Sequence, residues 1–521
     1  MTTLEKIIQK LPFEKIIGQT VMGYVKDSRS IECFKKIALE NALGGLIIGR
    51  EVLSSIRNIG RELKELAELY KKTYGFSIIL ATEQDGGRLE KLPQPSTELP
   101  SLMGISATGD TKSAYIAGYI TALELRTLSI NVNLAPVANL YPYETMRSFR
   151  ENSFGEDPDE VSDYVASYVR GLRNGGLMSF VKYFPRRFFD QRDRNLEALG
   201  ELYKRDFKPF QTAFKMGVEG VVIGHTPLPA VDSANTPSSL SAKVVEKVVK
   251  RGLGFKNMLV TDCLNGEDNS VHIDPEKAAV TALKAGNHIV VPSTDEEDVK
   301  NALERIVEEA GRDKEFYNKV RNSALEVLSF KLRKLEKFKK TPEKTRGSLI
   351  NRSRAWKIFV NSIAVVKGAG ELPLRFFGKP LVVLANRLNN LFEDDEKKRL
   401  LQTLEEEFNG FELLEHVDEM PGRRLNELYR NTPSNTLLVV LTYNMHEDGK
   451  ETSVFKKLIE LFRENVVISL GSPEDLKLFS GAKICVAAFT PSVTAVKAVL
   501  KVLRSKTPPP GRIPIRVSLG S

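Results

Sequence analysis

The sequence predicts an α/β protein in two parts: an N-terminal (β/α)8-type, TIM-like barrel followed by an open α/β sandwich domain. Three observations carry this. Short continuous apolar runs recur through residues 44–293 without the alternation of a half-exposed sheet, as strands buried on both faces do. Stretches of helical periodicity separate most of them. About seven such repeats in roughly 250 residues suit a closed barrel better than a doubly wound sheet of ordinary size.

In chain order, the predicted barrel strands fall at 45–49, 77–81, 130–134, 180–182, 220–224, 258–261 and 288–292, one short of eight, so one unit is expected to be irregular. Amphipathic helices are read at 161–174, 203–216 and 242–251. Residues 331–348 are cationic and contain Pro342 and Gly347, as a helix running out into a linker would. The expected domains are therefore 1–345, the barrel with its trailing helix, and 346–521. In the second, apolar runs at 363–366, 381–385, 437–441, 466–470 and 484–489 alternate with helices near 395–407, 451–464 and 492–504. The proline-rich tail at 507–515 cannot extend a helix and is expected to pack as an extended strap.

Composition narrows the function. Of 521 residues, 41% are hydrophobic and 27% charged, a globular balance that excludes a disordered chain. Lys and Arg number 76 against 67 Asp and Glu; the excess of +9 is dilute and forms no long basic tract, so no nucleic-acid partner is expected. Cys33, Cys263 and Cys485 lie far apart with no C-x-x-C pair and no His at ligand spacing, which suggests neither disulfides nor a metal site. Glu5, Lys6, Lys10, Glu14 and Lys15 interrupt the N-terminal stretch, and no run approaches the ~18 apolar residues of a membrane span. A cytoplasmic location without membrane contact is expected. Neither G-x-G-x-x-G nor a Walker pattern occurs, and no cofactor is implied. Nothing in the pattern specifies an oligomeric state.

In a barrel of this kind, chemistry gathers at the carboxyl ends of the strands. Four polar residues directly follow or close the apolar runs: Glu83, Lys182, His225 and Asp262. Each alone fits a solvated charge, but four in register converge on one pocket and point to hydrolysis or group transfer on a polar substrate. Gly86 and Gly87 with Arg88 also fit a simple turn. Cys263 reads as a small apolar filler, His288 as a satisfied barrel residue, and His272 as either near the site or in water; His416 and His446 suggest nothing.

These residues sit in motifs that resemble glycoside hydrolase family 3. E-Q-D-G-G-R-L at 83–89 is similar to that family's D-Q-E-G-G-R-V, and S-F-G-E-D-P at 153–158 to its S-F-G-x-D-P. G-H-T-P-L-P at 224–229, P-S-S-L-S at 237–241 and the run ending T-D-C-L-N at 261–265 follow in the family's order. A-G-N-H at 285–288 resembles its A-G-x-D with His288 for Asp, while A-F-T-P-S at 488–492 and P-G-R-I-P at 510–514 resemble its second domain. The nearest branch is the bacterial β-N-acetylglucosaminidases.

The resemblance implies a carbohydrate substrate and a retaining β-glycosidase, of β-N-acetylhexosaminidase or β-glucosidase type. Asp262, matching the signature Asp, would be the nucleophile, since a carboxylate stabilises an oxocarbenium-like transition state before bonding to it. Glu83, Arg88, Arg150, Lys182, Tyr183 and His225 would bind substrate; Arg150 and Arg147 lie upstream of Asn152, which occupies the family's Arg position. The acid/base loop departs. Where the branch has K-H-F-P-G-H-G-D-T-x-x-D-S-H, this chain has K-Y-F-P-R-R-F-F-D-Q-R-D-R-N at 182–195, so the catalytic His becomes Asn195 and Asp193 stands as the remnant of the dyad. Asn donates no proton, and general acid catalysis is worth typically 10²–10⁴-fold. Asp193, Asp190 or a glutamate of the second domain are the candidate donors. The added Arg186, Arg187, Arg192 and Arg194 read as a solvated or salt-bridged surface loop, or as an anion subsite, which would make the enzyme a phosphorylase. A catalytically inactive barrel that binds sugar or a partner is the alternative.

Overall fold

Eight strands pair in parallel and in sequence order: β1 (Met22–Val25), β2 (Gly45–Ile48), β3 (Ile79–Thr82), β4 (Val132–Asn133), β5 (Met178–Phe184), β6 (Gly220–Ile223), β7 (Met258–Cys263) and β8 (Ile289–Val291). A parallel bridge between Val21 and Val290 joins last to first and closes the barrel. The computed structural model describes residues 3–87, 92–141, 150–186, 199–233, 236–266, 274–374, 378–419, 422–433, 435–445, 449–507 and 509–517.

Continuous apolar runs became strands because both of their faces are covered; β2, β3, β5 and β6 are buried at every position. The strand that sequence patterning does not supply is β1. Its four residues include Gly23, where a Cβ would sit 2.6 Å from the Phe34 ring of helix Ile31–Asn41. Close helix packing thus requires glycine in the strand that glycine makes hard to recognise. The helix read at 161–174 runs from Pro158 to Asn174, with the Asp157 side chain capping Asp159 N and Glu160 N. That read at 203–216 is two helices, Leu199–Lys204 and Lys208–Lys215, the second opening on Pro209 where its missing N–H costs nothing. The one at 242–251 is a π-helix, Lys243–Gly252.

The second sheet holds β9 (Ala364–Lys367), β10 (Leu381–Leu384), β11 (Glu412–Leu414), β12 (Leu438–Thr442), β13 (Asn465–Ser469) and β14 (Ile484–Ala487). Their order is β11-β10-β12-β13-β14-β9, parallel except for β9 against β14. Helices Asp394–Phe408, Lys450–Leu461 and Val493–Leu503 accompany it. The fold is therefore a barrel plus an α/β sandwich.

Helix Leu349–Ser362 joins the two cores, with Ala355 and Ile358 in the first and Phe359 in the second. Fully buried Glu124 fixes the stretch before it: one carboxylate oxygen accepts from Thr97 Oγ1, Gly347 N (3.0 Å) and Asn351 Nδ2 (3.1 Å), the other from Thr97 N (2.9 Å). The tail is an extended strap. Gly511 N donates to Ile363 O, Arg512 N to Ala107 O, and the Arg512 guanidinium is bidentate on Glu160. No helix among the described residues is long and apolar enough to cross a membrane.

Candidate active site

The structure brings Glu83, Lys182 and Tyr183 into direct contact at the carboxyl ends of β3 and β5. Reciprocal bonds between the Asn133 side chain and the Gln84 backbone, 2.9 Å each, hold the chain as it leaves β3. Glu83 Oε1 accepts from Lys182 Nζ and Tyr183 OH, both at 3.1 Å, and Oε2 from Tyr24 OH at 3.0 Å. Lys182 is 2% exposed and lies 2.9 Å from Asp85 Oδ2, whose side chain is wholly buried. Burial opposes the charge on Lys182, but Asp85 and Glu83 outweigh it and raise its pKa above the ordinary lysine value. The charge of Glu83, with burial, likewise holds the Tyr24 phenol well above its usual range. The result is a fixed carboxylate, 23% exposed, held by one cation and two hydroxyls.

Asp262 lies on β7, and its Oδ1 accepts Cys263 N at 2.9 Å. His225, two residues beyond β6, places Nδ1 2.7 Å from Ser239 Oγ and Nε2 3.0 Å from the Cys263 carbonyl oxygen. A carbonyl only accepts, so Nε2 carries the proton. Both ring nitrogens of His225 are thus engaged by the protein, and through Cys263 the imidazole fixes the residue next to Asp262. Burial, with the Asp262 charge adding to it, pushes the Cys263 thiol up to about 12, which leaves it inert at neutral pH. His288 accepts Leu259 N at 3.0 Å, and burial lowers it to about 3, so it is a neutral part of the barrel wall.

Arg88 and Asp193 lie outside the described residues, as does the side chain of Arg150. Asn152 is 3% exposed, and its side-chain amide has no hydrogen-bond partner among the described residues. Sequence reasoning missed Tyr24, because β1 escaped it, and Asp85, which no periodicity distinguishes within its loop. No group of three or more His, Cys, Asp or Glu able to hold a metal occurs among the described residues.

The second unit reaches this end of the barrel. Tyr443 OH donates to Glu151 Oε1 at 2.9 Å, Tyr141 OH meets Ser472 Oγ and Glu474 Oε2 at 3.0 and 2.8 Å, and Ser101 Oγ donates to Phe489 O at 2.7 Å.

Comparison with known proteins adds the following. The family model described as the glycosyl hydrolase family 3 N terminal domain matches residues 13–329. An uncharacterized secreted glycosyl hydrolase of Arthroderma benhamiae is 28% identical over 290 residues, 53% of this chain and 80% of that protein. A beta-hexosaminidase of Neisseria gonorrhoeae is 27% identical over 284 residues, 52% of this chain and 77% of that one. Among solved structures, a glycoside hydrolase family 3 beta-N-acetylglucosaminidase from Paenibacillus sp. str. FPU-7 matches with a TM-score of 0.83 at 23% identity, covering 98% of this chain and all of that one.

Proposed function

The chain belongs to glycosyl hydrolase family 3, and from that premise we propose that it is a retaining β-glycosidase cleaving O-glycosyl bonds through a glycosyl-enzyme on Asp262. The similarity to a beta-hexosaminidase supports the β-N-acetylhexosaminidase type over the β-glucosidase type. The observation that carries the reading is the arrangement of Glu83, Lys182, His225 and Asp262 at the carboxyl ends of β3, β5, β6 and β7 of one closed barrel.

Their chemistry suits the reaction. Asp262 attacks the anomeric carbon as the bond to the leaving oxygen breaks, and water then cleaves the resulting ester with retention. The Cys263 N–H on Oδ1 orients the carboxylate, while His225, bonded to the Cys263 carbonyl, is a positioning residue. Glu83 accepts sugar hydroxyls; Lys182 and Tyr183, both bonded to its Oε1, keep it aimed. Charge-assisted bonds of this kind contribute about 1.5–3 kcal/mol each. Proton delivery is altered, because Asn195 stands where the acetylglucosaminidase branch has His, with Asp193 two residues before it.

That same Asn195 favours a second reading, a barrel that binds sugar without cleaving it. Aryl β-glycosides with leaving groups from methylumbelliferyl to dinitrophenyl, tested on the native chain and Asp262→Asn, separate the two. The expected result is release that Asp262→Asn abolishes and that falls steeply as leaving-group pKa rises, since the missing acid is worth about 10²–10⁴-fold. No release even from the dinitrophenyl glycosides, which need no protonation, would leave the binding reading. Acceleration by phosphate with formation of a sugar 1-phosphate would indicate a phosphorylase.

A further inference from the structure

We propose that residues 331–357, the linker and the start of the helix joining the two cores, dock the protein on an anionic lipid bilayer. Leu349 and Ile350 enter the acyl boundary, and the lysines and arginines around them meet the headgroups. Such peripheral contact needs neither a spanning helix nor glycosidase activity.

Averaged over the chain the excess of +9 is dilute; by position it is not. Residues 331–357 hold eleven Lys and Arg against two Glu, and the remaining residues hold 65 of each sign, so the whole excess lies in this one segment. Of the eleven, only Lys331 is buried. Both glutamates are already paired, Glu336 with Lys71 and Glu343 with Lys340. Lys337, Lys339 and Lys344 before the helix, and Arg352, Arg354 and Lys357 on it, are exposed and form no ion pair among the described residues.

The segment is held as one surface by the last turn of helix Thr111–Thr127. Arg126 Nε donates to Lys339 O at 2.9 Å, Arg346 Nη1 to Thr127 Oγ1 at 3.1 Å, and Glu124 accepts from Gly347 N and Asn351 Nδ2. Helix Leu349–Ser362 then turns Asn351, Ala355 and Ile358 inward and leaves Leu349, Ile350, Arg354 and Lys357 outward. Leu349 is 84% exposed and Ile350 65%, the two most exposed large apolar side chains among the described residues. A lone exposed aliphatic is ordinary. Two adjacent ones among unpaired cations combine the two signals that hold a protein on a charged membrane. A nucleic acid would satisfy the charge but leave the aliphatic pair in water. The segment begins at the amino ends of the barrel strands, where Lys331 Nζ lies 2.6 Å from Gln19 Oε1 before β1 and Lys334 pairs with Glu219 before β6. Glu83 and Asp262 lie toward the opposite ends, so contact through it leaves the barrel mouth open.

Sedimentation of the full chain with vesicles tests this, using phosphatidylcholine alone and in equal parts with phosphatidylglycerol. Binding is expected only to the anionic vesicles at about 0.1 M salt, and is lost at about 1 M, where the Debye length falls to about 3 Å. Each Lys or Arg near such a surface is worth about fivefold in partitioning, so Arg352→Gln, Arg354→Gln and Lys357→Gln together should lower it about a hundredfold. Leu349→Ser with Ile350→Ser should lower it at least about fivefold and leave retention by double-stranded DNA unchanged. All five positions are exposed, and circular dichroism confirms that each variant is folded. No sedimentation with the anionic vesicles, or binding unmoved by the three charge substitutions, would overturn the proposal. Vesicle binding indifferent to Leu349→Ser and Ile350→Ser would overturn it too, by assigning the segment to a polyanion such as nucleic acid.

Discussion

Replacing Lys182 by methionine removes a charge while keeping much of the side-chain volume, and the structure sets what that costs. The ammonium is 2% exposed and stands 2.9 Å from Asp85 Oδ2 and 3.1 Å from Glu83 Oε1. Glu83 would retain the hydroxyls of Tyr24 and Tyr183 and its contact with water, but Asp85, wholly buried, would lose its counter-charge. Removing one partner of a buried pair costs about 3–5 kcal/mol, chiefly through the carboxylate left behind. At about 2 °C per kcal/mol for a domain of this size, the melting temperature falls by about 6–10 °C. The pH dependence has a definite sign. In the native chain the folded pKa of Lys182 is raised, so its contribution is fully present below the unfolded value of about 10.4 and is lost only as pH rises through the folded value. In Lys182→Met the stranded carboxylate binds its proton more tightly folded than unfolded, so the deficit shrinks as pH falls from 7 toward 5. Scanning calorimetry at both pH values measures this. Adding Asp85→Asn to Lys182→Met removes the stranded charge and should recover part of the loss. A drop under about 2 °C, or a further drop on adding Asp85→Asn, would refute the reasoning.

Three other outcomes follow from single contacts. Glu124→Gln turns one of two buried acceptors into a donor facing donors and should cost about 2–3 kcal/mol in urea unfolding; a neutral effect would mean that Thr97, Gly347 and Asn351 do not depend on it. Lys331 is fully buried, with Nζ 2.6 Å from Gln19 Oε1, and burial holds its pKa well below the ordinary value. The folded chain therefore binds that proton less tightly than the unfolded one, and native stability should rise from pH 7 toward about 10 with a slope that Lys331→Met lacks. Equal slopes for the two proteins would contradict this. Gly155→Ala should cost about 1–3 kcal/mol and expose the tail to limited proteolysis, because φ is +148° and a Cβ would lie 2.6 Å from the Pro514 carbonyl oxygen; unchanged proteolysis would show that the strap docks elsewhere.

The parts of the fold legible in the sequence are those where burial is two-sided. β2, β3 and β12 announce themselves as unbroken apolar runs, whereas β11, an edge strand with Glu412 exposed, has no such run and passes for loop. β1 hides because Gly23 and the half-buried Tyr24 interrupt its short run, and Tyr24 was lost from the candidate site for the same reason. Position at the end of an apolar run singles out Glu83 and Lys182, although Lys182 lies within β5 and only Glu83 follows its strand. Their direct contact, and Asp85 as the second partner of Lys182, depend on how a loop without periodicity turns its side chains. His225 illustrates the limit differently: its place on the barrel mouth was legible, but its partners Ser239 and Cys263 lie 14 and 38 residues away, beyond any local pattern.

The second sheet is joined to the barrel through the ends of its own strands, which bears on how the second unit meets the barrel mouth. Tyr443 immediately follows β12, Ser472 follows β13, and Phe489 and Thr490 follow β14. Their partners are Glu151 and Tyr141, which follow β4, and Ser101, which follows β3. Ligand sites lie at the carboxyl face of a parallel barrel and outside the carboxyl ends of an open parallel sheet, at the point where strand order reverses. That reversal falls between β10 and β12, where Arg387 donates to Asn444 O and lies over the Tyr443 ring. Arg387, Tyr443 and Glu151 therefore run as one line from the second sheet to the barrel mouth. The two carboxyl faces meet, each closing the other's open end. Met103, Ala107 and Tyr141 belong by packing to the second core although they lie on the barrel's own connections. A barrel deprived of the second unit would expose those apolar residues and leave buried Glu151 without the Tyr443 hydroxyl, so the second sheet is part of what shapes the mouth.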